Sequence, residues 1–265
     1  MGATGRIGRM LFRQWAAAPP AGVRLIAQSR REGPGLLAWD PLDPAIPVRA
    51  DVIFGFAGVV PRDGVDAGLN VDLGVAAVRM AQAAGARRVI LASSSAVYGP
   101  GASMDEDHPC RPVNAYGAAK LEMERTVVGA DVEVCCLRIG NVAWADALLG
   151  RMVPGQRVTL DRFADGAGPV RSYIGPRTLA AVLETLAHAP APLPPVLNLA
   201  APGPVTMEAL LRASGAEWGW QPAPGAAVQN VTLDCGRLAA LHRFRADASA
   251  AGVLIAEGQG LKDPA

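Results

Sequence analysis

The chain has 265 residues, 51% of them hydrophobic, with 25 basic and 24 acidic side chains and a formal net charge of +1. That length suits one large α/β domain, or one domain with a small appendage, and is enough to bury a sizeable core. The apolar content excludes a disordered chain, and the balanced charge excludes a binder of phosphate backbones, which needs basic excess. The longest apolar run, Val52 to Val60, falls far short of the roughly 20 residues of a membrane span, and no charged-then-apolar leader is read at the start. A cytoplasmic location is expected, with neither membrane nor nucleic acid as partner. The cysteines at 110, 135, 136 and 235 lack metal or disulfide spacing, and His108, His188 and His242 are too scattered for a metal site. Cys135 and Cys136, adjacent in a predicted strand, point to opposite faces as reduced structural thiols.

In chain order, Gly2, Gly5 and Gly8 precede a helical segment to about Ala18, with Ile7, Leu11 and Trp15 on one face and Pro19-Pro20 ending it. Such glycines let the backbone approach a pyrophosphate seated on the helix amino end. Val23 to Ala27 reads as a strand ending in Gln28-Ser29-Arg30-Arg31. Asp51 to Ala57 is a continuous apolar run of the kind doubly buried parallel strands show. A helix from Asn70 carries Val71, Val75 and Val78 and stops near Gly85. Val89, Ile90 and Leu91 form a buried strand that ends at Ser93-Ser94-Ser95. After an acidic, proline-bearing loop, Tyr116 and Lys120 stand four residues apart in an Ala-rich helical segment, on one face. An ammonium beside a phenol whose ordinary pKa is about 10 favours the phenolate, giving an acid/base usable nearer neutral pH. A strand-end hydroxyl can then hold the substrate oxygen that exchanges the proton.

Asp131 to Arg138 is another strand, followed by Ile139-Gly140-Asn141-Val142. Further on come a helix with Leu179, Val182, Leu183 and Leu186 as its stripe, a proline-rich break from Pro190 to Pro195, and a short strand, Val196 to Leu199. Thr206 caps a helix that bears Leu210 and Leu211 and ends near Gly215. Trp218 and Trp220 line a pocket or, as aromatics beside a Gly/Pro-rich loop more often do, pack a small domain onto a large one. The alternation of strands and helices predicts a doubly wound parallel sheet, with ligands at strand carboxyl ends, where Gly5, Ala57 and Ser94 fall.

GATGRIG at 2–8, SSSAVYG at 93–99 and NAYGAAK at 114–120 together resemble the extended short-chain dehydrogenases/reductases, the NAD(P)-dependent epimerase/dehydratase family. The resemblance implies a Rossmann-type fold, with the NAD(P)-binding domain over 1–142. Over 143–265 it implies a mixed region that completes the sheet and adds a small C-terminal substrate-binding cap. The family places an apolar strand before the glycine turn, of which only Met1 remains here. The first strand is therefore expected to be missing from the chain, through a late start or truncation.

By resemblance, Ser94, Tyr116 and Lys120 are the catalytic set, and Tyr116 and Lys120 also touch the cofactor. Gly2, Gly5, Arg6, Ile7 and Gly8 form the nucleotide loop; Ala57, Gly58 and Ile139 line the cofactor, and Asp40 sits near the adenine. With two arginines, Arg30 and Arg31, and no acid where the family reads the adenosine ribose, NADP(H) is favoured over NAD(H). Asn141 faces the substrate or is a turn residue, and Arg171 is a substrate-phosphate ligand or a salt-bridged surface arginine. Ala143-Trp144 and Gly175-Pro176 depart from the family pattern. Ser95-Ala96 replaces the Asp-Glu of its dehydratases, which argues against dehydration. The expected activity is NAD(P)-dependent oxidation, reduction or epimerisation of a small-molecule substrate, either a nucleotide sugar or a smaller carbonyl compound. A homodimer is an open expectation. The competing reading is an NADP(H)-binding regulator or scaffold without turnover.

Overall fold

The computed structural model describes residues 1–43, 45, 48–60, 65–153 and 155–261. In chain order its elements are α1 (Arg6–Ala17), β1 (Ala27–Ser29), β2 (Leu36–Ala38), β3 (Val52–Gly55), α2 (Leu69–Ala84), β4 (Arg88–Ser94) and β5 (Gly101–Met104). Then come α3 (Ala115–Thr126), β6 (Glu133–Ile139), β7 (Asn141–Val142), β8 (Val158–Arg162), β9 (Val170–Ile174) and α4 (Pro176–His188). The chain closes with β10 (Val196–Leu199), β11 (Pro204–Thr206), α5 (Met207–Ser214), β12 (Trp218–Pro222), β13 (Asn230–Leu233), α6 (Gly236–Leu241) and α7 (Ala251–Gly258).

β10, β6, β4 and β3 lie side by side, all parallel, and β1 pairs in parallel with β2. Unbroken apolar runs suit strands covered on both faces. Leu11 of α1 and the α4 stripe of Leu179, Val182, Leu183 and Leu186 cover one face, while α2 supplies Ala77 and Met80, and α3 with its C-cap supplies Met123 and Val127, to the other. The four α4 residues have no exposed surface, and burial of each contributes on the order of 2 kcal/mol. Cys135 belongs to one core and Cys136 to the other, as adjacent strand residues must. This is the doubly wound, Rossmann-type arrangement. No helix among the described residues is long and apolar enough to cross a membrane.

The expected strand at 23–27 falls later. Pairing covers Ala27–Ser29 only, and Val23, Leu25 and Ile26 are exposed. Ahead of the glycine turn, the backbone of residues 1–3 stands between β1 and β3. The Met1 amine donates to the Phe54 carbonyl at 2.6 Å, Phe56 N donates to the Met1 carbonyl at 3.1 Å, and Ala3 N donates to the Gln28 carbonyl at 3.0 Å.

In α2, Val78 of the expected valine stripe is buried and Val71 packs against the same core, but Val75 is 42% exposed. Glycine and alanine bring the helix close to α3. A Cβ on Gly74 would lie 2.4 Å from Met123 Cγ, so only glycine admits this close approach of the helices.

Beyond the sheet's carboxyl end, β11, β9, β13 and β5 form a second sheet joined by β7, and β8 pairs with β12. Trp218 and Trp220 meet edge-on at 5.0 Å, with the guanidinium of Arg212 over the first ring and that of Arg162 over the second. These contacts, and the pairing of β12 with β8, lie within the C-terminal region.

Candidate active site

β4 carries the site because it runs buried between β3 and β6 and ends in Ser93 and Ser94, which point different ways. The Ser93 hydroxyl turns under α3 and donates to Glu124 Oε1. Ser94, in register with Ile139, accepts Ala96 N–H at 3.2 Å and starts a short 3₁₀ turn over Ser95–Val97.

α3 starts at Asn114, whose Oδ1 accepts the Gly117 N–H at 2.8 Å. A Cβ on Gly117 would lie 2.3 Å from the Ala96 carbonyl oxygen, so glycine lets the first helical turn sit directly on the turn that follows Ser94. Tyr116 thereby comes beside Ser94. Burial raises its pKa, and a hydrogen bond from Ser94 pulls the other way. One turn on, Lys120 is 4% exposed, donates to the Ala92 carbonyl at 2.8 Å, and holds its ammonium 5.9 Å from the Tyr116 ring centroid. Burial pushes the Lys120 pKa down to about 8. Desolvation is the largest influence on Tyr116, and it works against the phenolate that the ammonium is expected to favour.

The glycine turn reaches the same place. Gly2 has φ +83°, and a Cβ there would lie 2.5 Å from Ala57 N, while one on Gly8 would lie 2.1 Å from the Gly2 carbonyl oxygen. Gly58 follows at the end of β3, where an added Cβ would sit 3.3 Å from Lys120 Nζ. Gly2, Ala57, Gly58, Lys120, Tyr116 and Ser94 thus form a contiguous chain of neighbours. Gly5 caps α1, which has no side-chain cap and no acid in its first turn. The first-turn N–H groups of a helix end without a side-chain cap or an acid, reached by a turn that only glycines can pack this tightly, fit a dinucleotide pyrophosphate. Arg6 and Ile7 lie in that first turn, with Arg6 Nη1 3.5 Å from the Ala145 carbonyl oxygen.

The other expected residues lie as follows. Arg30 and Arg31 are exposed just past β1, and Arg31 N donates to Ser29 Oγ at 3.1 Å. Asp40 is exposed, and its carboxylate accepts Leu42 N–H at 3.0 Å, closing a turn. Asn141, on β7, pairs in register with Tyr173 of β9 and contributes a hydrogen bond to the Tyr173 hydroxyl. Arg171 is no salt-bridged surface residue; its guanidinium donates to the carbonyls of Val170, Gln229 and Val228 at 2.7–2.8 Å. None of these bonds reaches the Ser94–Tyr116–Lys120 group. Trp144 adopts φ +70° and donates to the Ile255 carbonyl at 3.1 Å, packing against α7.

Several supporting residues went unread in the sequence. Gln28, 3% exposed, accepts Gly2 N–H at 3.0 Å and donates to the Trp39 carbonyl, fastening the glycine turn to β1 and β2. Asn70 accepts Val59 N–H at 3.2 Å and donates to the Val59 carbonyl at 2.9 Å, holding the loop that carries Gly58. One available signal was overlooked. Lys120 is one of only two lysines among the 25 basic residues, so a buried ammonium here is a choice that arginine does not fill.

A doubly wound sheet with a glycine turn and a Ser-Tyr-Lys group at its strand ends defines an extended short-chain dehydrogenase/reductase. The NAD dependent epimerase/dehydratase family model matches residues 1–145, and the chain belongs to that family. Among solved structures, it is similar to a UDP-galactose 4-epimerase at 22% identity and TM-score 0.71, over 98% of this chain and 97% of that one. It is similar to a short-chain dehydrogenase/reductase superfamily protein from Agrobacterium tumefaciens with bound NAD, at 20% and 0.74, over 98% and 96%. It is also similar to TunA, an NAD-dependent NDP-hexosamine 5,6-dehydratase of tunicamycin biosynthesis, at 19% and 0.74, over 99% and 98%. No curated protein matches the chain.

Proposed function

We propose that this protein is an NAD(P)-dependent oxidoreductase or epimerase acting at a carbinol or carbonyl carbon, with residues 1–142 holding the cofactor and 143–265 completing the sheet and capping the substrate. The observation that carries this reading is the unbroken set of neighbours from Gly2 through Ala57 and Gly58 to Lys120, Tyr116 and Ser94. A nicotinamide dinucleotide, when bound, supplies hydride exchange. Gly2, Gly5, Arg6, Ile7 and Gly8 hold its pyrophosphate on α1, and Ala57, Gly58 and Ile139 line its path along the strand ends. Tyr116 gives or takes the proton of the substrate oxygen, and Ser94 hydrogen-bonds the same oxygen. Lys120, as a buried ammonium beside the phenol, stabilises the phenolate when the proton leaves.

A nucleotide sugar is the favoured substrate class. UDP-galactose is the substrate of one similar structure, and another, the Bordetella bronchiseptica enzyme WbmG, is in complex with NAD and UDP. Asn141 and Arg171 are the substrate-side candidates, the latter after release of its carbonyl partners. Ser95-Ala96 beside Ser94 leaves no second carboxylate for elimination, so redox or epimerisation is preferred over dehydration, although TunA, of similar fold, is a dehydratase. Arg30 and Arg31 favour a 2′-phosphate and hence NADP(H), while the similar structures carry NAD.

Fluorescence titration with NADPH and NADH, followed by a screen of sugar nucleotides, aldehydes and ketones, tests the reading. Tighter NADPH binding with turnover of one substrate is expected. Equal or reversed preference overturns the arginine argument, and saturable binding without any turnover favours the non-catalytic regulator.

A further inference from the structure

Tyr116, Lys120 and Glu124 follow each other at four-residue steps, so they form one stripe along α3, facing β4. The proposed chemistry uses the first two. Glu124 lies deeper, with its side chain 5% exposed, and is held from three sides. Arg138 Nη2 donates to its Oε2 at 2.8 Å, Arg138 Nε lies 3.2 Å from both carboxylate oxygens, and the Ser93 hydroxyl donates to Oε1. Ser93 and Arg138 are register partners on β4 and β6, so this one carboxylate fastens α3 to two strands at once.

Arg138 is itself fixed. Its Nη1 donates to the Tyr98 hydroxyl at 2.9 Å and to the Glu106 carbonyl at 3.1 Å, and Tyr98 donates to Asn198 Oδ1 at 2.8 Å. The Lys120 bond to Ala92 and the Glu124 bond to Ser93 land on consecutive residues of β4, immediately before Ser94. Sliding α3 along the strand breaks both.

We propose that Glu124 is the positioning residue of this site: its clamped carboxylate sets α3 on β4 so that Tyr116 and Lys120 meet Ser94, and it stands one helical turn beyond the Lys120 ammonium on the same face. This rests on the roles proposed above for Tyr116 and Lys120. Around the Lys120 ammonium stand Tyr116 and Glu124 from its own helix, the Ala92 carbonyl of β4, Cys136 of β6, Gly58 after β3, and the neutral Asn70 of α2. Burial works against the ammonium, and Cys136 and Glu124 work for it. The Cys136 thiol is pushed up to about 12 by burial and is uncharged near neutrality, which leaves Glu124 as the anion that counters desolvation.

The scarcity of lysine makes a direct test simple. In a Lys262→Arg background, ¹³Cε-lysine labelling gives a single NMR signal, from Lys120, titratable without cofactor or substrate. Glu124→Gln is expected to lower the Lys120 pKa by roughly one unit. Glu124→Asp, which keeps the charge on a shorter arm, should stay near the parent. A folded Glu124→Gln protein with an unchanged Lys120 pKa, or Glu124→Asp shifting as far as Glu124→Gln, overturns the proposal. If the lone buried guanidinium left by Glu124→Gln prevents folding, the comparison is made within an Arg138→Met background, with and without Glu124→Gln, and an equal Lys120 pKa in the two overturns the proposal. In turnover, the alkaline limb of kcat/KM should move to lower pH by the amount that NMR records; an unmoved limb overturns the positioning role. A parent protein that turns over nothing refutes the catalytic reading alone, since the titration needs no substrate.

Discussion

Lys120 donates to the main-chain oxygen of Ala92 at 2.8 Å while burial holds its pKa down to about 8 from the ordinary 10.5. That depression corresponds to about 3 kcal/mol in favour of the neutral over the charged amine. Lys120→Met keeps the length of the side chain, loses one charge-assisted bond and removes the desolvation cost. The expected outcome is an unfolding temperature within a few degrees of the parent and turnover reduced at least about 100-fold. Thermal melts alongside steady-state kinetics check it; retained turnover removes Lys120 from the chemistry.

Tyr116→Phe removes the phenolic oxygen and nothing else that packs. Cofactor affinity should stay within about twofold, while turnover falls roughly 100- to 10,000-fold, the range for losing a positioned acid/base. Cofactor titration and kcat measured on one preparation separate the two. Undiminished kcat excludes the phenol as the proton carrier.

Gly117→Ala tests how the helix reaches the serine turn. The new Cβ meets the Ala96 carbonyl oxygen at 2.3 Å, its carbon at 2.9 Å and Pro112 Cβ at 3.0 Å, so α3 must move off the turn. Overpacking of this kind costs about 1–3 kcal/mol. Stability should fall by that amount in urea titration, with a loss of turnover larger than the fall in folded fraction, because Tyr116 parts from Ser94.

Alkaline pH should weaken the fold. Burial pushes Cys136, Cys235 and Tyr98 up to about 12, and Cys135 higher still, from ordinary values of 9.0 for the thiols and 10.0 for the phenol. The folded state keeps protons that the unfolded chain releases above pH 9. Stability from these groups is whole below that pH and drains away as pH rises toward 12. Lys120 acts oppositely between about 8 and 10.5, since there the unfolded chain binds the extra proton. Four groups outweigh one, so the urea midpoint under reducing conditions should be lower at pH 10.5 than at pH 8. An equal or higher midpoint contradicts the burial of these thiols.

Sequence and structure each decided a separable part of this protein. Local spacing was enough for the glycine turn and helix α1, the Tyr116–Lys120 face, the stripe from Leu179 to Leu186 and the Thr206 cap. All of these depend on residues within a turn or two of each other, where periodicity and capping chemistry act. The strand expected at 23–27 slid to 27–29, and Val75 of the expected stripe faces solvent, because pairing and helix contact depend on which partner arrives. Only the tertiary structure separated Ser93 from Ser94, drew Glu124 and Arg138 together under the site, and turned Arg171 toward three carbonyls. The reason is physical: the charge state and orientation of a buried polar group are set by desolvation and by the few atoms that replace its water, and those atoms come from strands and helices far away in the chain.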